Sequence, residues 1–212
     1  MPAAPHGPSL ALERRLVREG FRLVAGVDEV GRGCLAGPVV AAAAVLPDPW
    51  QVKGVNDSKK LDPARRRVLA AAIKQKAVAW AVASATPTEI DSLNIHRASL
   101  LAMRRAVNAL APSPDYLLVD GRFVLEHSLP QEAVTSGDAK CLSVAAASIL
   151  AKVERDGLMQ ALSWVWPQYH FAANKGYGTR EHQEALRVHG PCPVHRRSYA
   201  PVAQRSLDLG LA

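Results

Sequence analysis

The chain has 212 residues, 49% of them hydrophobic and 21% charged, which is enough for one α/β domain with an appendage and a sizeable core. Its formal net charge of +7 and pI of about 9.6 favour a polyanionic partner without requiring one. The 3 cysteines form no CxxC pair, so nothing indicates a cysteine-based zinc or redox site, and a reduced intracellular protein is expected. Because no segment resembles a signal peptide or a run of about 18 apolar residues, we expect a soluble, cytoplasmic protein without membrane association.

The first part of the chain predicts a loose tail over residues 1 to 8, then a short basic helix from Ser9, as its N-cap, to about Arg18. A helix is also predicted to open with Asp62 as N-cap and Pro63 in its first turn. Alternating or fully apolar runs predict three strands, for which antiparallel pairing is expected: residues 21–27, 38–46 and 77–86.

The second part begins with an amphipathic helix, in which apolar residues recur every three or four positions from Leu100 to Leu110. Short strands are then predicted at 116–120 and 132–135. A mostly apolar, buried helix follows over 141–166, with a stripe of polar positions that faces either a site or water: Ser148, Lys152, Arg155 and Asp156. From residue 167 the composition indicates a small C-terminal lobe with a helix over 179–189.

Residues 26–38 indicate a candidate active site, because an apolar run ends in two adjacent carboxylates, Asp28 and Glu29, and glycines follow them. Asp120 repeats the pattern at the end of a later strand, and Asp138 stands at a helix entrance. If these four acids converge on one edge of the sheet, they suit two divalent metal ions and phosphodiester hydrolysis. Taken singly, each is more typical of a turn or a cap, and spacing alone does not establish convergence.

The same segment also matches a loose dinucleotide fingerprint, GxGxxA, over residues 31–36. That interpretation requires a helix to open there, whereas residues 38–45 have the character of a strand. The sequence therefore disfavours a nucleotide cofactor at this position.

Basic residues with no apolar periodicity indicate either a phosphate track or solvated surface: Lys59, Lys60, Lys152, Lys175, Arg180, Arg196 and Arg197. Tyr177 lies between two glycines amid these basic residues. It is either a platform for a sugar or base or a loop anchor.

Eight ordered motifs over residues 20 to 203 resemble the bacterial type 2 ribonuclease H family, ribonuclease HII. They are GVDEVGRG, NDSKKL, PTEIDSLNI, LLVDG, GDAK, SVAAASILAKVERD, KGYGT and HRRSYAPV. Type 3 relatives carry an additional N-terminal domain and lack the equivalent of Tyr177, so type 2 is preferred. One departure is Cys34, which stands where the family more often has proline or another small residue.

The resemblance implies that Asp28, Glu29, Asp120 and Asp138 are both the catalytic residues and the ligands of Mg²⁺ or Mn²⁺ in a two-metal site. It implies that Gly31, Arg32 and Gly33 contact the ribonucleotide 2′-hydroxyl and adjacent phosphates, and that Tyr177 packs on the neighbouring deoxyribose. The predicted substrate-binding set is completed by Lys59, Lys60, Ser143 and Lys152.

The implied fold is α/β and RNase H-like, a mixed five-stranded sheet flanked by helices with a small C-terminal helical extension. The expected divisions are a tail and short helix (1–19), a catalytic domain (20–166) and a C-terminal lobe and tail that contributes to substrate binding (167–212).

The implied activity is metal-dependent cleavage of RNA in RNA/DNA hybrids and nicking of duplex DNA on the 5′ side of embedded ribonucleotides, leaving 3′-hydroxyl and 5′-phosphate ends. Ribonucleotide excision repair and primer removal are the expected roles, with a monomer as the default and a replication clamp as a candidate partner. Another metal nuclease of this superfamily, such as a Holliday-junction resolvase, and a non-catalytic hybrid-binding module are the alternatives.

Overall fold

The computed structural model describes residues 7–208, with side chains described through residue 204. Five strands form one sheet: β1 (Val24–Val30), β2 (Val39–Val45), β3 (Ala79–Ala85), β4 (Tyr116–Asp120) and β5 (Gln131–Val134). Their order is β3-β2-β1-β4-β5, so the strand that carries the first acidic pair lies at the centre. All five predicted strands are present, with boundaries shifted by a few residues at most.

The sheet is mixed. β1 pairs antiparallel with β2, and β2 with β3, as expected, while β1–β4 and β4–β5 are parallel. Every residue of β2 is buried, because this Val- and Ala-rich strand is covered on both faces. The fold is thus the predicted RNase H-like mixed sheet.

Helices cover both faces. They are α1 (Ala11–Arg18), α2 (Pro63–Lys76), α3 (Pro87–Leu93), α4 (Ile95–Asn108), α5 (Gly137–Lys140), α6 (Leu142–Val165), α7 (Phe171–Asn174), α8 (Arg180–His189) and α9 (Ala200–Asp208). Two short 3-10 helices lie at Ser58–Lys60 and Pro167–Tyr169. The α2 start follows the prediction, since the Asp62 side chain accepts the Arg65 N–H at 2.9 Å and Pro63 is the first helical residue.

Two apolar cores result, one on each side of the sheet. Helix α4 packs its Ala98, Met103 and Val107 face on one side, and α6 packs Ala146, Ile149 and its other small residues on the other. Helix α6 approaches β1 closely, because a Cβ added at Gly26 would lie 2.2 Å from the Ser143 carbonyl carbon. The central strand therefore has little freedom to shift.

The N-terminal segment is tied into this core, which corrects one expectation. Helix α1 begins after Leu10, so the predicted Ser9 N-cap is wrong; Ser9 instead forms a β-bridge with Cys141. Glu13 is buried and its Oε1 accepts bonds from the backbone N–H and hydroxyl of Ser143, at 2.9 and 2.6 Å. Leu16 is also buried. The part of the loose-tail prediction that covers residues 1–6 lies outside the described residues.

The C-terminal lobe has its own small core, where Met159 from the second half of α6 packs with Tyr169, Phe171 and Leu186. Leu35 and Ala36 of the glycine-rich loop belong to the same cluster. Because one helix runs through both regions, the lobe continues the main domain. Over residues 7–208, none of the helices is long and apolar enough to cross a membrane.

Candidate active site

The central parallel strand pair places two acids side by side. Val27 of β1 is opposite Val119 of β4, so Asp28 and Asp120 follow at the same level. Glu29 is the next residue of β1, and Asp138 lies in α5, which follows β5. All four carboxylates line one cleft of about 270 Å³. The convergence that spacing alone left open is therefore present.

Backbone and side-chain contacts hold these acids. The Glu29 N–H donates to Asp28 Oδ1 at 2.7 Å, and the Gly137 N–H donates to Asp120 Oδ1 at 2.6 Å. Glu29 Oε1 forms a 3.2 Å ion pair with Arg32, whose side chain is half exposed. Arg32 thus partly neutralises the cluster from the solvent side.

Burial and mutual repulsion disfavour ionisation of the cluster. Burial, reinforced by Glu29 and Asp120, raises the pKa of Asp28 well above its ordinary value. Burial likewise raises the pKa of Glu29 against the opposing effect of Arg32. For Asp138, burial is the main cause of a raised pKa, followed by the charges of Asp57 and Asp120. Additional positive charge beside these acids would therefore favour their ionised form.

A divalent cation fits that requirement, since carboxylate oxygens are the ligands that Mg²⁺ and Mn²⁺ prefer. In the part of the chain whose side chains are described, no three Asp, Glu, His or Cys residues already form a closed metal cage. Each of Asp28, Glu29 and Asp120 has an oxygen directed at a protein donor. The four carboxylates that line this cleft would be the residues to hold such an ion.

The glycine-rich loop beside the acids is shaped by a buried arginine from the far end of the chain. Arg196 donates to the carbonyl oxygens of Gly31 at 2.6 Å, Arg32 at 2.7 Å and Gly37 at 3.0 Å. The Tyr199 hydroxyl adds a 2.5 Å bond to the Arg32 carbonyl. Since Arg196 is fully buried, the expectation that it lines a phosphate track is wrong.

A second buried arginine supports the loop from α6. Arg155 donates to the carbonyl oxygens of Pro38, Lys175 and Ala36 at 3.0, 2.8 and 3.1 Å. Its guanidinium occupies the space that a side chain at Gly31 would need, because a Cβ there would lie 2.1 Å from Arg155 Nε. Gly31 also has φ of +94°, which favours glycine.

Tyr177 lines the same cleft from the C-terminal lobe and is 43% exposed. Its hydroxyl faces the Cys34 thiol, and burial raises the pKa of both groups. Its carbonyl oxygen lies 2.8 Å from His182 Nδ1, and His182 Nε2 lies 3.0 Å from His195 Nε2. The Cys192 N–H donates to His195 Nδ1 at 3.0 Å.

One assignment of protons satisfies this whole chain of bonds. If His195 carries its proton on Nε2 and His182 on Nδ1, each nitrogen has a matching partner and the Tyr177 carbonyl accepts the last proton. Neutral histidines suit the site, because burial lowers the pKa of His182, and burial together with His182 lowers that of His195 to about 4. The pair holds the Tyr177 loop in position.

The remaining predicted substrate contacts divide into two groups. Gly31, Arg32, Gly33, Lys59 and Lys152 line the cleft. Lys60 is exposed but is not among the residues lining it. For Ser143 the predicted substrate contact is corrected: it is fully buried and bonded to Glu13, because it forms part of the tight α6–β1 contact.

Two serines of the cleft lie outside the predicted catalytic and substrate-binding set. The hydroxyls of Ser58 and Ser148 lie 2.9 Å apart, and Ser148 faces Asp28 and opposes the rise in its pKa. Ser148 belonged to the predicted polar stripe of α6, whereas Ser58 gave no signal beyond its place in the NDSKKL segment.

The structure does not support the alternative of a dinucleotide-binding motif, because strand β2 and not a helix follows the glycine-rich loop, as the sequence predicted.

Comparison with known proteins gives a consistent result. A family model described as Ribonuclease HII matches residues 25–202. The ribonuclease HII of Moorella thermoacetica is 56% identical over 189 residues, covering 89% of this chain and 92% of that protein. That of Solibacter usitatus is 52% identical over 195 residues, covering 92% and 85%.

Solved structures agree. The ribonuclease H2 of Pyrococcus horikoshii has a TM-score of 0.76 and 27% identity, covering 90% of this chain and 100% of that one. The RNase HII in a PCNA:RNase HII complex from Archaeoglobus fulgidus has a TM-score of 0.72 and 27% identity, covering 84% and 95%. A Bst-RNase HIII structure in complex with Mn²⁺ has a TM-score of 0.66 and 22% identity, covering 88% and 70%, and shares the fold.

Proposed function

Because the chain belongs to the ribonuclease HII family, and is thus a type 2 ribonuclease H, we propose that its cleft cuts a strand next to a ribonucleotide. The proposed substrates are RNA/DNA hybrids and duplex DNA with embedded ribonucleotides, cut on the 5′ side to leave 3′-hydroxyl and 5′-phosphate ends. The proposed roles are ribonucleotide excision repair and primer removal.

The observation that carries this proposal is the meeting of Asp28, Glu29, Asp120 and Asp138 in one cleft with the glycine-rich loop and Tyr177. These four carboxylates are the proposed ligands of Mg²⁺ or Mn²⁺, in a two-metal site. When bound, such a cation supplies positive charge that stabilises the negative charge developing on the cleaved phosphate. The protein's part is to place these carboxylates in one cleft, two of them on a central strand with little freedom to shift.

Choice of the cleavage position is assigned to the segment Gly31–Gly33 and to Tyr177. Arg196 and Arg155 fix carbonyl oxygens of this loop region, so the loop is presented in one shape beside the acids. A 2′-hydroxyl both donates and accepts, and it is the group by which a protein distinguishes RNA from DNA at one position. The half-exposed Tyr177 ring supplies an apolar surface for the neighbouring sugar.

Lys59 and Lys152 are the proposed phosphate contacts of this cleft, which they line. Such contacts position a strand without reading its sequence. Lys60, being exposed nearby in the chain, is proposed to contribute only to the long-range attraction of nucleic acid.

The test compares three duplexes with Mg²⁺ and with Mn²⁺: one ribonucleotide in DNA, a long RNA/DNA hybrid, and DNA alone. We expect cleavage of the first two duplexes and none of the third. The products should carry 3′-hydroxyl and 5′-phosphate ends, which a DNA ligase can rejoin. Cleavage of DNA alone, or of a four-way junction in preference to the ribonucleotide duplex, would contradict the assignment.

For partners, the proposal is a monomer that associates with a replication clamp. Support comes from the Archaeoglobus fulgidus relative, whose structure is a complex with PCNA. Size-exclusion chromatography with light scattering, with and without a bacterial sliding clamp, tests both parts: a stable dimer or no co-elution would contradict them.

A further inference from the structure

A second, larger cleft adjoins the catalytic one. It has a volume of about 700 Å³ and lies where the start of α2 and the middle of α6 meet α7. Lys152 lines both clefts, so the two are continuous across this side chain. Nothing described so far occupies the larger one.

The α6 side of the cleft is one stripe of that helix. Positions 152, 153, 156, 157 and 160 line it, and Ser148, one turn earlier, lines the catalytic cleft. From 152 to 160 the stripe is about 12 Å long at 1.5 Å per residue. One strand of a duplex has a phosphate about every 3.4 Å along its axis, so roughly three or four phosphates span this length. Of the polar stripe predicted from the sequence, Lys152 and Asp156 line this groove, which has the dimensions of a nucleic-acid strand, whereas Arg155 is buried against the glycine-rich loop.

The lining is strongly basic, with four cations and one acid: Arg66, Arg67, Lys152, Lys175 and Asp156. Asp156 holds two of the cations, Lys152 at 2.7 Å and Arg66 at 3.8 Å. Arg66 also donates to the carbonyl oxygens of Ser58 and Leu61, which leaves it a structural part of the wall.

The other two cations are available to a ligand. Among the contacts of the described residues, neither the Arg67 nor the Lys175 side chain forms an ion pair or hydrogen bond. Arg67 is exposed on α2 and Lys175 follows α7, so two different elements bring these cations to the cleft. Unpaired cations from two elements of one cleft suit a polyanion that contacts both.

Gly157 supplies an independent observation. It sits in the interior of α6, where glycine is less favourable than alanine, and it is an exposed residue that lines the cleft. A Cβ added there would meet no protein atom within 4 Å, so internal packing does not demand glycine. The missing side chain instead leaves open space beside the helix, which allows close approach of a ligand from outside the protein.

We propose that this cleft binds the sugar-phosphate backbone of one strand flanking the cleavage position, with Arg67 and Lys175 on its phosphates and its sugars over Gly157. The inference rests on the proposed function, because it extends the path of the same substrate. It assigns the contact to the backbone, so binding here is independent of base sequence.

The test measures affinity for duplex DNA carrying one ribonucleotide, in EDTA so that nothing is cleaved, by fluorescence anisotropy over a range of salt concentrations. Arg67→Gln is compared with Arg97→Gln, a matched change of an exposed arginine on α4, across the sheet. Losing one phosphate contact lowers the salt slope by about 0.9, which is about 5- to 10-fold in affinity near 0.1 M salt. We expect this loss for Arg67→Gln and not for Arg97→Gln.

The substrate is then shortened by four base pairs from each end in turn. With the wild-type protein, shortening one of the two flanks should weaken binding, and Arg67→Gln should remove the difference between the long and that shortened duplex. Gly157→Ala should raise Tm while weakening binding of the long duplex. Equal behaviour of Arg67→Gln and Arg97→Gln at every length, or unchanged binding by Gly157→Ala, would overturn the proposal.

A cleavage assay tests the proposed function separately from the second cleft. If the wild-type protein with Mg²⁺ or Mn²⁺ cuts none of these duplexes, the assigned activity is wrong whatever the affinities show. If it cuts them all and flank length has no influence on affinity, only the second cleft is wrongly assigned.

Discussion

Arg196 and Gly31 are joined by a 2.6 Å hydrogen bond from the guanidinium to the carbonyl oxygen, across 165 positions of the chain. Arg196→Ala should therefore destabilise the protein, because the carbonyls of Gly31, Arg32 and Gly37 lose a buried donor. The expected decrease in the free energy of unfolding is about 3 kcal/mol or more, measured by urea denaturation. Arg180→Ala, at an exposed position, should stay within about 0.5 kcal/mol. Similar values for the two would contradict the structural role of Arg196.

Two glycines of the same loop should respond differently to alanine. Gly31→Ala places a methyl group 2.1 Å from Arg155 Nε at a φ of +94°, so Tm should fall by several degrees. At Gly33 a Cβ meets no atom within 4 Å, so Gly33→Ala should leave Tm nearly unchanged. A differential scanning calorimetry experiment on both variants checks this, and equal Tm losses would show that crowding by Arg155 is not the cause.

Asp28→Asn should separate activity from stability. Nicking at an embedded ribonucleotide should fall by more than about 100-fold, since a charge that holds the proposed cation is gone. In metal-free buffer at neutral pH the same variant should unfold at a higher temperature than the wild type. The reason is that burial, Glu29 and Asp120 raise the pKa of Asp28, so its charged form is destabilising. A variant that cleaves normally, or one that is less stable without metal, would count against this role.

The histidine pair predicts a pH dependence of stability. The folded-state pKa of His195 is lowered to about 4 from an ordinary value of 6.5 by burial and by His182. Its contribution is therefore fully present above pH 6.5, where both states are neutral. It is lost as pH falls towards 4, because only the unfolded state takes up the proton. Between pH 6.5 and 5 the loss should be about 2 kcal/mol.

Urea unfolding of wild-type protein and of His195→Gln over that pH range is the measurement. The variant should be less stable at pH 7 but should show a flatter profile down to pH 5. Parallel profiles would mean that His195 is not buried in its neutral form. Tyr177 fluorescence or proteolysis of residues 175–179 would show in parallel whether the loop loosens on acidification.

Much of the fold was predictable because its signals are local. Strand alternation, the Asp62 cap and the periodicity of α4 depend on neighbouring residues, and the structure agrees with them. The acids were predictable as candidates for the same reason, since Asp28 and Asp120 end apolar runs. What spacing could not supply was their register across β1 and β4, which the pairing of Val27 with Val119 sets.

The buried polar contacts were not predictable. Arg196 and Arg155 carry the charge expected of phosphate ligands, yet both donate to carbonyl oxygens of residues 31–38, more than 100 positions away. The family resemblance predicted a substrate contact for Ser143, but this residue is buried because α6 approaches β1 closely. In each case the residue type shows that a buried side chain needs a hydrogen-bond partner, but the sequence does not show which group that partner is.

The bonds between the glycine-rich loop and the end of the chain also set an order of assembly. The Leu35 N–H donates to Gly176, the Gly37 N–H to Val194, and the Arg196 N–H to Leu35. A loop made near the start of synthesis thus acquires these supports only after almost all of the chain has emerged. Contacts so distant in sequence form slowly. Nascent or C-terminally clipped chains can therefore bury the sheet while the glycine-rich loop stays unformed, so the complete cleft is assembled last.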